Sequence, residues 1–146
     1  MTATPVERDR FTGQGRTVLI LEDDPAIRNA AARILELYEY RVLEAADAHE
    51  AIGILERHQG PLDLILCDLV LPGLAGREAA NALLARRPGT PVLYTSGYSS
   101  RDSFRQDMET SGARFLPKPF EVAELLEAVR AAVAAGHATD EGSAGR

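Results

Sequence analysis

The amino-acid sequence predicts an α/β domain, a parallel sheet of five strands interleaved with five helices. Short apolar runs of strand length alternate with helical patterns from 17 to 135. Several of those runs are apolar at nearly every position, as expected of strands buried on both faces. Five strand–helix units of this length imply parallel pairing through right-handed crossovers.

The elements follow in order. Residues 17–21 form the first apolar run, and Pro25 suits the first turn of the helix after it. Ile27, Ala31, Ile34, Leu35 and Tyr38 then recur at helical spacing. A short second strand covers 41–45. Asp47 can cap a second helix that buries Ala48, Ala51, Ile52 and Leu55 and stops at Gly60-Pro61. The third strand, 62–67, is the most apolar. A loop over 68–75 contains Pro72 and Gly73, and a helix over 76–87 ends at Pro88-Gly89. The fourth strand is 91–95. A polar helix over 99–111 has Phe104 and Met108 as its main apolar residues. A fifth strand at 113–116 leads into a helix over 121–135, where Val122, Leu125, Leu126, Val129 and Val133 line one face.

The chain has 146 residues, and 16 basic against 22 acidic residues give a net charge of −6. One domain is expected over 16–135, with flexible tails at 1–15 and 136–146, rich in small and charged residues. No run approaches the roughly 18 apolar residues of a membrane span. The first residues lack the apolar centre of a secretory signal. A cytoplasmic protein is therefore expected. The pI near 5.1 disfavours a nucleic-acid footprint. Cys67 is the only cysteine and lies within an apolar run, so a buried, inert thiol is expected.

Ligands of open parallel sheets bind beyond the carboxyl ends of the strands. There the sequence places Glu22-Asp23-Asp24, Asp68, Thr95-Ser96-Gly97 and Lys118-Pro119, and Lys118 is the only lysine. Crowded carboxylates repel, and a hard divalent cation relieves them. Mg2+ prefers oxygen ligands and takes one or two carboxylates together with a phosphate. A carboxylate at the centre of such a site can attack phosphorus, while a cation and a lysine offset charge on the transferred group. Read alone, Asp68 could cap a turn, Glu22, Asp23 and Asp24 could be a solvated helix start, Ser96 could be a turn residue, Lys118 a surface lysine and Phe115 plain core packing.

VLILEDDP over 18–25, DLILCD over 63–68, LPG at 71–73 with Gly76, PVLYTSG over 91–97 and FLPKPF over 115–120 together resemble the receiver domain of bacterial response regulators, the CheY-like family. The stretch after the fourth strand is also similar to receivers attached to hybrid histidine kinases. The resemblance implies a doubly wound, flavodoxin-like sheet with strand order 2-1-3-4-5. It implies that Asp68 is the phospho-acceptor and that Asp23, Glu22, Asp68 and the Val70 carbonyl surround Mg2+. Ser96, favoured over Thr95 by the small Gly97 after it, would contact the phosphoryl group. Lys118 would pair with a phosphoryl oxygen, and Phe115 would be the switch aromatic.

The implied partners are a histidine kinase or histidine phosphotransfer protein and a downstream protein target. Docking is expected near Ile27 and Pro119-Phe120. No nucleic acid and no membrane are implied, and the expected state is a monomer or weak dimer. The resemblance implies no enzyme beyond self-phosphorylation and self-dephosphorylation, with the signal leaving by protein contact or onward phosphotransfer. Val70 and Tyr98 are expected to flank the phosphoryl group and slow its hydrolysis. Two alternatives are a receiver-like binding module that works without phosphate and a small aspartyl-phosphate phosphatase. The latter is disfavoured by the absence of an Asp-x-Asp pattern after the first strand.

Overall fold

The structure, a computed structural model, describes residues 10–71, 74–97 and 113–144. The sheet contains β1 (Thr17–Leu21), β2 (Arg41–Ala45), β3 (Leu64–Asp68), β6 (Val92–Ser96) and β7 (Arg114–Pro117). Between β3 and β6, the two-residue strands β4 (Val70–Leu71) and β5 (Leu74–Ala75) pair as a separate antiparallel ribbon. The sheet order is β2-β1-β3-β6-β7, and every pair in it is parallel. With the ribbon left out of the count, this is the expected 2-1-3-4-5 order. Four helices lie among the described residues: α1 (Pro25–Leu37), α2 (Ala48–Arg57), α3 (Gly76–Arg86) and α4 (Val122–Ala144). The helix expected over 99–111 lies outside the described residues, as do Tyr98, Pro72 and Gly73.

Side chains of a strand alternate between its two faces, so each central strand feeds two cores. Val18 and Ile20 of β1 join Leu64, Leu66, Leu93 and Leu116 beneath α1 and α4, with Leu35, Leu125 and Val129. Leu19 and Leu21 join Ile65, Cys67 and Tyr94 beneath α2 and α3, with Leu55, Ala79 and Leu83. Every residue of β1 and of β3 is buried. Burying each large aliphatic side chain is worth about 1.5–3 kcal/mol, so these two strands carry the sheet. The edge strand β2 exposes Arg41 and Glu44.

Local chemistry sets the helix ends. Asp24 Oδ1 accepts from the Ala26 and Ile27 N–H groups at 2.9 and 3.4 Å, with Pro25 opening α1. Asp47 Oδ1 accepts from Glu50 N–H at 2.8 Å. α3 has no side-chain cap. Its first residue, Gly76, donates to the Leu69 carbonyl at 2.7 Å and lies so close to the Asp68 carbonyl that a Cβ there would collide with it. The carboxyl end of α2 is closed by Arg87, which donates to the carbonyls of Leu55, His58 and Gly60.

Four boundaries differ from expectation. Residues 10–15, expected in the tail, pack on the α1–β2 corner. Phe11 meets Tyr38 edge-on at 6.4 Å, and the Gly13 and Gly15 N–H groups donate to the Tyr38 and Glu39 carbonyls. One aromatic residue and backbone bonds do this work, which polar composition hides. The last helix runs through Ala144 rather than stopping at 135. The alanine-rich stretch after Val133 favours helix, and Gly136 fits where a Cβ would press on Pro91. The 68–75 segment is not wholly loop, because it holds the β4–β5 ribbon. β3 also starts two residues later than expected, at Leu64. Asp63 Oδ2 instead accepts from Thr17 N–H at 2.8 Å, closing the lower rim of the sheet. Among the described residues, no helix is long and apolar enough to cross a membrane.

Two outcomes are expected. Arg87→Ala removes the donors that close α2 and should cost about 2–3 kcal/mol of stability, read from urea unfolding with an unchanged slope. Cys67 is fully buried, its thiol donates to the Asp68 carbonyl, and burial together with the Asp68 and Glu22 charges pushes its pKa up to about 12. It should therefore resist a thiol reagent such as dithionitrobenzoate at pH 8 in the native protein and react only as fast as the chain unfolds. Rapid labelling of folded protein would contradict that burial.

Candidate functional site

Parallel strands present all their carboxyl ends at one rim, and the polar residues meet there. Glu22 and Asp23 follow β1 directly, Asp68 ends β3, Ser96 ends β6, and Lys118 follows β7. Carboxylate oxygens of Glu22, Asp23 and Asp68 lie within 4.8 Å of one another. Lys118 Nζ sits 2.5 Å from Glu22 Oε1 and 3.1 Å from Asp68 Oδ2. The Lys118 backbone N–H donates to the Ser96 carbonyl at 2.8 Å, which sets the lysine against the end of β6. The Lys118–Pro119 peptide is cis.

Burial is uneven across the cluster. Glu22 and Asp68 are 4% and 6% exposed, whereas Asp23 is exposed to solvent. Burial pushes the Glu22 pKa up to about 7, and the Asp68 charge adds to this. The hydrogen bonds from Lys118 and the Asp24 N–H pull the other way. For Lys118, burial works to lower the pKa. The hydrogen bond to Glu22 and the charge of Asp68 outweigh it, so the pKa is raised. The two shifts oppose each other within one ion pair. The lysine contacts two carboxylates at once, so the ammonium is the form the geometry supports.

Asp68 Oδ1 accepts from the Val70 N–H at 3.2 Å, which orients the carboxylate and leaves Oδ2 to Lys118. The Val70 side chain is half exposed at the mouth of the site. The Ser96 hydroxyl is fully buried without a hydrogen-bond partner among the described residues. Such an orphan usually costs about 1–3 kcal/mol, and a site that supplies an acceptor recovers this. Thr95 is buried beside it. Phe115 lies away from the acids. It pairs in register with Tyr94 across β6 and β7, with ring centroids 6.1 Å apart.

The donor set fits a hard divalent cation, with three carboxylates, no soft ligand aimed among them and an unsatisfied hydroxyl nearby. Gly76, quoted in the sequence as part of a motif, leaves room for the Asp68 backbone. Sequence reasoning missed Arg28, which donates to the Glu22 carbonyl at 2.8 Å; its only signal was a basic residue one turn into α1.

A cavity of about 400 Å³ adjoins this rim. Ala26, Ile27, Ala30, Gly97, Pro119 and Phe120 line it together with Lys118. Its walls are almost wholly apolar apart from that lysine.

Comparison with known proteins agrees with this fold. Residues 18–130 match the response regulator receiver domain family. The chain is 32% identical over 126 residues to the sensor kinase CckA of Brucella abortus, covering 86% of this chain and 13% of that protein. It is 32% identical over 119 residues to the transcriptional regulatory protein PdtaR of Mycobacterium tuberculosis, covering 81% of this chain and 57% of that one. The chain thus spans only part of these relatives. Among solved structures, a CheY-like receiver domain protein from Methanospirillum hungatei superposes with a TM-score of 0.74 at 28% identity, over 86% of this chain and 98% of that one. The receiver domain of the hybrid histidine kinase CckA gives 0.66 at 32% identity, over 80% and 98%. The chain belongs to the response regulator receiver domain family of two-component signalling proteins.

Proposed function

We propose that this chain accepts a phosphoryl group on Asp68 from a phosphohistidine of a partner kinase or phosphotransfer protein. One observation carries the reading: Lys118 Nζ lies 3.1 Å from Asp68 Oδ2 within a cluster of three converging carboxylates. In the reaction, an Asp68 carboxylate oxygen attacks phosphorus, the P–N bond breaks, and the imidazole leaves with the electron pair. Glu22, Asp23, Asp68 and the Val70 carbonyl would hold Mg2+, which when bound offsets negative charge on the transferred group. Lys118 adds a fixed positive charge beside the attacking oxygen.

The same residues supply a switch. A phosphoryl group on Asp68 offers acceptors to Lys118 and to the orphaned Ser96 hydroxyl. Two charge-assisted hydrogen bonds of about 1.5–3 kcal/mol each give about 3–6 kcal/mol. Moving a two-state equilibrium from about 1:99 to 99:1 takes roughly 5.5 kcal/mol. The two bonds are therefore of the right size to bias a surface that includes β7 and α4. Phe115 on β7, one strand from Ser96, is the side chain placed to follow that shift. The flanking residue Val70 exposes an apolar side chain and offers no side-chain group to orient water, which favours a long-lived phosphoryl group.

The apolar cavity beside Lys118 is the docking face of this reading. It opens between α1 and the loop before α4, so a partner seated there would place its phosphohistidine near the acids. In this reading, signal output runs through protein contact or onward phosphotransfer.

Two experiments test this. Incubation with acetyl phosphate and Mg2+ should add one phosphoryl unit by intact mass, and Asp68→Asn should abolish the gain. Retained labelling in that variant would move the acceptor elsewhere, and an unlabelled wild-type chain would favour a binding module that works without phosphate. Ile27→Asp should slow transfer from a phosphorylated histidine donor at least about tenfold, on the order of a lost interface anchor. It should leave labelling by acetyl phosphate unchanged.

A further inference from the structure

Arg28 stands outside the acid cluster yet grips the segment that carries it. Its Nη1 donates to the Glu22 carbonyl oxygen at 2.8 Å, and its Nε lies 3.7 Å from Glu44 Oε1 at the end of β2. The guanidinium is largely buried, with 18% of the side chain exposed. On the other side, the Glu22 N–H donates to the Ala45 carbonyl at 3.1 Å. The peptide before Glu22 is thus held by β2, and the peptide joining Glu22 to Asp23 is held by Arg28. Asp23 is exposed, so its direction follows from the peptide plane that precedes it. The Asp24 N–H, bonded to Glu22 Oε2 at 3.1 Å, continues the same braced turn.

We infer that Arg28 is a positioning residue for the cation site, fixing the Glu22–Asp23 peptide so that both carboxylates face Asp68. This rests on the reading of Glu22 and Asp23 as cation ligands. Charge and position make opposite predictions here. A guanidinium near a cation site repels the cation, so losing its charge alone would tighten binding. Losing its grip on the Glu22 carbonyl releases the turn and weakens binding.

The test uses Mn2+ alone as the probe, titrated into the full chain with free Mn2+ followed by electron paramagnetic resonance. Arg28→Met should weaken Mn2+ binding about tenfold, the usual scale for residues that orient metal ligands. Arg28→Lys, which keeps a donor and the charge, should recover most of that loss. In the metal-free chain, the Asp23 backbone amide resonance should move in Arg28→Met and return toward its wild-type position in Arg28→Lys. Should Arg28→Met fail to fold, Arg28→Gln, neutral and too short to reach the carbonyl, carries the same expected weakening. Binding as tight as wild type, or tighter, in a folded neutral variant overturns the inference and leaves the cation site standing. A wild-type chain that takes up no Mn2+ at millimolar concentration overturns the cation-site reading itself, and Arg28's role falls with it.

Discussion

Two buried carboxylates and a third at the surface share one small space, and Lys118 makes that arrangement tolerable. At an effective dielectric constant of about 20, two unit charges 4.8 Å apart repel by on the order of 3 kcal/mol. Glu22 and Asp68 also lose hydration by burial. The ammonium between them returns part of that cost through contacts with both. The result is a site still short of positive charge, with three acids against one lysine. Added positive charge is what such a site favours.

The fold exists to bring these groups together. β1 leads into Glu22 and Asp23, β3 and β6 end in Asp68 and Ser96, β7 leads into Lys118, and the parallel order brings β1, β3 and β6 side by side with β7 at the edge. Two hydrophobic cores clamp the sheet from both faces, so the strand ends are rigid where the chemistry lies. The supports are backbone contacts rather than side-chain bulk. The Val70 N–H orients Asp68, the Ser96 carbonyl orients Lys118, and Arg28 holds the Glu22 carbonyl. Gly76 lets α3 begin directly against the Asp68 backbone, a closeness no side chain would permit.

That rigidity is local. β6 and β7 join the site to the sheet edge, and the register pair Tyr94–Phe115 lies on the path between them. Phe115 is only partly buried, in contrast to the sealed strands β1 and β3. Beside the same rim, the apolar cavity borders α1 near Ile27, and among the described residues that line it Lys118 alone is charged.

How far the sequence could be read depended on whether the signal was local. Strand-length apolar runs and helical spacing identified the sheet and its crossovers, because burial on two faces demands apolar residues in sequence. Glu22, Asp23, Asp68, Ser96 and Lys118 were legible as candidates because a parallel sheet puts strand ends at one rim. The unmade bond of Ser96, the grip of Arg28 and the packing of Phe11 were not legible. Each depends on a partner distant in sequence whose approach is set by packing rather than by pattern. The extension of α4 past 135 was missed for a different reason: small residues that read as tail also make good helix. Residue chemistry and order thus determined the fold class and the list of reactive groups. Only the tertiary structure decided which of them touch, because distance across a folded core is a property of how two faces pack and not of any one segment.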